Sequence, residues 1–258
     1  MARQARVSAG GAAGEGGEGR DSSGGLVLAL DAGSPVVSVA VGHGGEVLAA
    51  GAVALQHSST QLLALVAEVL KAAAALPADL AGVVALAGPG SFTGLRVGLA
   101  TALGLVQGLG VRAQAIPTLA ALAAAASEAP PGGLVIAAVD ALRGEWSAQA
   151  FRAGPVPEPL GEMTLVPAGE LLERLAPWAA ADDPTEIIAF GVSALRRGGD
   201  AAGGWARFQE APPLAPAALR LAAALPPASW RAASLSTPIY ARPPATTAPK
   251  PRPESPQP

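Results

Sequence analysis

Apolar and polar positions divide the chain into short buried runs and longer amphipathic ones. Leu26-Val-Leu-Ala-Leu-Asp31 is an apolar run ending on a carboxylate and reads as a buried strand. Val36–Val41 and Glu46–Val53 follow across Gly42-His43-Gly44-Gly45, which has the composition of a hairpin turn. Ser58–Leu76 places Leu62, Leu65, Val66, Val69 and Leu70 on one helical stripe, and Pro77 ends it. A strand over Ala81–Ala87, a helix over Thr93–Leu109, a strand over Val111–Ile116 and an alanine-rich helix over Thr118–Ala126 complete the first series. A second series begins after Pro130-Pro131-Gly132. Leu134–Val139 is a strand ending at Asp140, paired with Glu145–Phe151 across Leu142-Arg143-Gly144. A strand near Met163–Val166, a helix over Ala168–Leu175 and a strand over Glu186–Phe190 follow.

Both series open alike, with a strand ending in Asp, a turn and a second strand, and then alternate between helix and strand. That order predicts an α/β fold of two related lobes with mixed sheets, one over residues 25–130 and one over 131–242. Residues 1–24 hold Gly, Ala, Ser and charge with little to bury, so a disordered tail is expected there. The proline-rich residues 243–258 read as a second, extended tail.

Composition narrows the function classes. Half of the 258 residues are apolar but only 3% are aromatic, so Ala, Leu and Val must build the core. The net charge is −3, and no basic block is longer than a pair such as Arg196-Arg197, which argues against a chain that grips nucleic acid by itself. Without cysteine there are no disulfides, thiolate metal sites or thiol nucleophiles. Val47–Ala67 is interrupted by Gln56-His57-Ser58-Ser59-Thr60-Gln61, and Val97–Val111 is short for a bilayer, so no membrane span is expected. The N-terminus lacks the basic-then-apolar order of a secretory signal, and a cytoplasmic location is the expectation.

The most informative string is Gly88-Pro89-Gly90-Ser91-Phe92-Thr93-Gly94-Leu-Arg-Val-Gly98, set between a strand and a helix. A glycine-rich strand-to-helix turn with Ser91 and Thr93 as caps can present backbone N–H groups to an anion. It lacks the Lys-Ser/Thr of a P-loop, and spacing alone favours a tight turn with glycines where side chains would clash. The helix after it carries Gly94, Gly98, Gly104 and Gly108, each costing roughly 1 kcal/mol relative to Ala in a helix interior. Gly94, Gly98 and Ala102 fall at i, i+4 and i+8 and form a smooth stripe. Either the chain's own sheet or a partner helix packs there; the expectation is that Gly98 meets a partner.

Together with Leu28-Ala29-Leu30-Asp31 and Leu99-Ala-Thr-Ala-Leu-Gly-Leu105, this string closely resembles the TsaB (YeaZ) family, the dimerisation subunit of bacterial threonylcarbamoyladenosine synthesis in tRNA. His57-Ser58, Leu62-Leu63, Asp140-Ala141, Arg143, Glu145 and Pro238-Ile-Tyr240-Ala-Arg242 match in kind and order. The resemblance covers residues 26–152 well and thins until Tyr240. It implies a two-lobed actin-like (RNase H-like) fold and a non-catalytic scaffold that activates a TsaD-type catalytic paralogue. It implies further a TsaE-type ATPase partner, homodimerisation as an alternative association, and tRNA reached only through the complex. Interface candidates are Leu62, Val66, Gly94, Gly98, Thr101, Ala102 and Leu105.

No catalytic, metal or cofactor residue is assigned, and ATP is left to the complex. The catalytic paralogue's metal-binding His-x-x-x-His has no counterpart in Thr118–Ala124. The first turn reads Asp31-Ala-Gly-Ser34 where relatives carry Asp-Thr-Ser; Asp31 and Ser34 are either the remnant of a nucleotide site or a turn cap. Arg143 stands one position later than the family's Asp-Ala-Arg, and His57 reads as a cap for the helix that begins at Ser58. The alternatives to a scaffold are an actin-like ATP-dependent kinase, whose second phosphate loop would have to be Gly191-Val-Ser193, and a glycoprotease-like hydrolase.

Overall fold

Strict alternation along the first strands decides which side of the sheet each residue faces, and through that the whole layering. In the computed structural model, which describes residues 6–9, 25–54, 58–126, 129–175, 185–193 and 206–242, β2 (Leu26–Asp31) sits at the middle of the first sheet. It pairs antiparallel with β3 (Val36–His43), which continues antiparallel to β4 (Glu46–Ala54). On its other side β2 runs parallel to β5 (Leu80–Gly88), and β5 runs parallel to β6 (Arg112–Pro117). The continuous apolar run of β5 suits a strand buried on both faces. Helices α1 (Ser58–Ala72) and α2 (Phe92–Leu109) cover one face, and α3 (Thr118–Ala125) follows β6.

The second sheet repeats this plan. β7 (Leu134–Asp140) pairs antiparallel with β8 (Glu145–Arg152), which pairs with β10 (Thr164–Pro167) and with the short β9 (Glu158–Pro159). β7 is parallel to β11 (Thr185–Ala189), and β11 is parallel to β12 (Ala206–Glu210). The order β4-β3-β2-β5-β6 therefore recurs as β10-β8-β7-β11-β12. Two mixed sheets of one topology make the two-lobed α/β fold that the repeated strand–Asp–turn–strand order predicts, in the actin-like form that the resemblance implies. The helices of the second lobe are α4 (Leu171–Leu175) and α5 (Ala215–Ala224).

Three apolar clusters give the layers. Leu28, Leu30, Val39 and Val83 face α1 and α2 through Leu62, Val69, Leu99 and Ala102. The opposite face of the first sheet is small, with Ala29, Ala40 and Val84, and meets Leu119 and Leu122 of α3 and Leu219 and Ala222 of α5. The same cluster continues into Val135, Ala137 and Val139 of the second sheet, so α3 and α5 lie between the sheets. Ile136, Trp146, Val166 and Leu171 form the third cluster on the far side. Alanine-rich faces let helices approach closely, which is how a chain so poor in aromatics fills its core.

Two expectations about boundaries need correction. Arg6–Ala9, placed in a disordered tail by composition, forms β1 and pairs antiparallel with Ala49–Ala52 of β4. An exposed sheet edge offers backbone hydrogen bonds that ask little of side chains, and Val7 adds contacts to the α1 side of the core. The second lobe is also not built from residues 131–242 alone. α5 packs on the first sheet and beside α3, which itself touches both sheets, and the α5 N-terminal Ala215 N–H donates to the buried Ser38 Oγ of β3 at 3.1 Å. The chain after α5 returns to the first sheet, where Ala115 N–H donates to Ser234 Oγ at 3.0 Å. The sequence pattern did not reveal β12 or α5, and His57 lies outside the described residues.

Because α3 packs on both sheets and α5 packs beside it, the two sheets are expected to unfold together. Leu219→Ala, which empties a fully buried site, is expected to cost about 2–5 kcal/mol while denaturant unfolding stays a single transition. Two separated transitions for the wild type or the variant would contradict a shared core.

Candidate functional site

β2 delivers Asp31 to its C-terminal end, where the carboxylate folds back over the next turn. Asp31 Oδ1 accepts the N–H groups of Gly33 and Ser34, both at 3.1 Å. The residue is 1% exposed, and neither its Oδ2 nor the Ser34 Oγ has a hydrogen-bond partner among the described residues. Burial pushes the Asp31 pKa up from 3.8 to about 6, against the opposing pull of the Ser34 and Gly33 amides.

The glycine-rich turn closes over this first turn from above. Ser91 N–H donates to Gly33 O at 2.8 Å, and Ser91 Oγ caps α2 by accepting Gly94 N–H at 3.3 Å. A Cβ on Gly90 would lie 2.6 Å from Gly33 O, and one on Gly94 would lie 2.0 Å from Ala32 O. A Cβ on Gly98 would come within 3.2 Å of the Ala32 Cβ. Gly88 adopts φ +112°, precedes the cis-bonded Pro89, and leaves room for Ile239 O, which a Cβ would meet at 2.1 Å. The backbone that approaches the Gly94/Gly98 stripe is thus the chain's own, which corrects the expectation that Gly98 meets a partner.

The remaining interface candidates divide in the same way. Leu62, Val66 and Ala102 lie in the core beside Gly94 and Gly98. Thr101 and Leu105 are half-buried, and Leu105 packs against the edge of the same core. Phe92 and Thr93 are exposed on the first turn of α2, with the Arg96 guanidinium 3.9 Å from the Phe92 ring centre. By length and composition alone α2 could cross a membrane, but Leu95, Leu99, Ala102 and Val106 are buried against the sheet.

Three turns in this fold carry amides or carboxylates that a bound nucleotide would use, and in each the chain's own carboxylate occupies the amides. In the first, Asp31 takes Gly33 and Ser34. In the second, Asp140 Oδ1 accepts Leu142 N–H at 2.7 Å. In the third, the amides of Gly191 and Val192, the proposed second phosphate loop, donate to Glu210 Oε1 and Oε2 at 2.7 and 3.0 Å. Glu210 was not singled out by the sequence, because it sits on β12, which its pattern conceals. This donor set does not fit a triphosphate, since an anion would have to displace three carboxylates. Among the described residues there is also no group of three or more His, Cys, Asp or Glu placed to hold a metal ion.

The raised Asp31 pKa fixes a pH dependence. Below pH 4 the group is protonated folded or unfolded; above pH 6 the folded chain carries a buried charge that the unfolded chain solvates freely. The stability contributed by the protonated form is therefore lost as pH rises from about 4 through about 6, by up to about 3 kcal/mol. Asp31→Asn cannot ionise, so its stability advantage over the wild type is expected to grow between pH 4.5 and pH 7.5 in urea titrations. An advantage that is flat, or larger at acid pH, would refute the buried-charge account.

Comparison with known proteins agrees with this fold. A family model described as TsaD, tRNA N6-adenosine threonylcarbamoyltransferase, matches residues 51–157. The tRNA threonylcarbamoyladenosine biosynthesis protein TsaB of Escherichia coli K12 is 31% identical over 119 residues, covering 46% of this chain and 52% of the relative. The protein of the same name from Haemophilus influenzae is 36% identical over 120 residues, covering 46% and 50%. The chain thus spans about half the length of the curated relatives it matches. Among solved structures, YeaZ from Pseudomonas aeruginosa is 28% identical with a TM-score of 0.70, covering 84% of this chain and 99% of that one. A second Pseudomonas aeruginosa structure, described as similar to peptidase YEAZ, is 27% identical with a TM-score of 0.72 over 84% of this chain and all of that one. In sequence over about half of their length, and in fold, the chain is similar to the TsaB (YeaZ) proteins.

Proposed function

We propose that this chain is a non-catalytic scaffold subunit in tRNA threonylcarbamoyladenosine biosynthesis, and that it binds a TsaD-type catalytic paralogue and holds it in its active arrangement. The threonylcarbamoyl transfer to the adenosine beside the anticodon belongs to that partner, a TsaE-type ATPase joins the complex, and tRNA is reached only through it. The observation that carries the reading is the outer side of α2. Gly104 and Gly108 are exposed there, and a Cβ built on either meets nothing within 4 Å. No contact among the described residues requires them, yet each costs roughly 1 kcal/mol relative to Ala. Val97, Thr101 and Leu105 lie along the same side, half-buried, and α1 packs beside α2 with Leu63 56% exposed. A smooth apolar surface of this kind suits a partner helix at close range. Homodimerisation through the same surface is the competing association.

The kinase reading is weakened because it needs turn amides that Asp31, Asp140 and Glu210 already occupy. The hydrolase reading lacks a nucleophile–base pair or a metal set among the described residues. A contributed surface, acting by conformational bias, is what remains for this chain.

Two substitutions separate the inner and outer glycines of α2. Gly104→Leu is expected to leave the isolated chain as stable as the wild type, or firmer by up to about 1 kcal/mol. Its binding to the co-expressed TsaD-type protein is expected to fall roughly tenfold or more, measured by co-purification and titration. Gly94→Ala is expected to lose about 1–3 kcal/mol of stability, because a methyl group must displace Ala32 O. Wild-type partner affinity in a folded Gly104→Leu variant would overturn the proposed interface.

A further inference from the structure

The late segment Pro238-Ile-Tyr-Ala-Arg242 has no task in a scaffold that acts through α1 and α2, yet both of its ends are engaged. Ile239 N–H donates to Ala87 O at the C-terminal end of β5, at 2.7 Å. Its carbonyl fills the space that Gly88 leaves by having no side chain. Tyr240 lies with its ring centre 5.2 Å from that of Phe92, and its hydroxyl accepts Arg96 Nε–H at 3.1 Å. Three residues of the first lobe's glycine-rich motif, Gly88, Phe92 and Arg96, are thus taken up by two residues of this segment.

Two residues further on, the same segment reaches the second lobe. Arg242 forms an ion pair with Glu145, the first residue of β8, and donates from Nη2 to Leu142 O at 3.4 Å in the turn after β7. The side chains of Arg242 and Glu145 are 31% and 32% exposed, so water is partly excluded from the pair. Leu142 and Arg143 hold positive φ values of 63° and 57°, a conformation that L residues avoid and that neighbouring contacts must sustain. Among the described residues, the Leu142 carbonyl that receives Arg242 belongs to this strained turn. The segment therefore links the C-terminal end of β5 in one sheet to the C-terminal end of β7 in the other.

We infer that Pro238–Arg242 is a clamp that fixes the closure of the two lobes, with Arg242 as the positioning residue that fastens it to the second lobe. Two-lobed proteins open and close by small rotations about shared elements, and α3 supplies such an element between these sheets. With Tyr240 fixed on the first turn of α2 and Arg242 fixed on the β7–β8 turn, rotation would have to break both attachments. The inference does not depend on which partner the outer face of α2 binds.

Hydrogen exchange and small-angle scattering on the purified full chain test it. In Arg242→Ala, the amides of Ala141–Trp146 and of Ile239 are expected to exchange about threefold to thirtyfold faster, with a larger radius of gyration. Exchange in the α2 interior, Leu99–Val106, is expected to stay unchanged. The exchanged pair Arg242→Glu with Glu145→Arg should restore slow exchange at both places. Unchanged exchange at Ile239, or an unchanged radius of gyration, would overturn the clamp. So would faster exchange spread evenly into Leu99–Val106, because that reports lost global stability and not an opened joint.

Discussion

At Gly90 and Gly94 the backbone of the motif rests on the carbonyls of Gly33 and Ala32, at distances that no side chain permits. This contact sets the position of α2, since Ser91 both bonds the first turn and caps the helix that follows. It also seals the Asp31 turn, and that burial raises the Asp31 pKa to about 6. The motif is a joint between two backbones, and the surfaces on which it has any freedom lie on the far side of α2 and along Ile239.

That joint accounts for how much of the protein was legible from its residues. Strand alternation and the two Asp-ended openings carried the two-lobed fold, because a strand must send alternate side chains to opposite faces. The glycine string carried the family. What it did not carry was direction: Gly94, Gly98, Gly104 and Gly108 look alike in a helix, and only the position of Ala32 shows that the first two face inward and the last two outward. β1 was missed because an edge strand can be made from four residues of little hydrophobicity. α5 was missed because it is only ten residues long and has Pro216 in its first turn, after Pro212-Pro213, which reads as loop.

The electrostatics run the same way. Asp31, Asp140 and Glu210 each take turn amides from within the chain. These carboxylates act as internal supports, which is the ground for proposing that the chain works through the shape it presents to another protein.

The central claim is that the inner glycines of α2 serve this chain and the outer ones serve a partner. Hydrogen exchange on the chain in complex with its TsaD-type paralogue, compared with the chain alone, tests it most directly. The account predicts new protection on α1 and along Val97–Gly108, with the already closed Gly88–Gly94 turn unchanged. Protection confined to the Gly88–Gly94 turn or to the second sheet, with α1 and α2 unaffected, would contradict it.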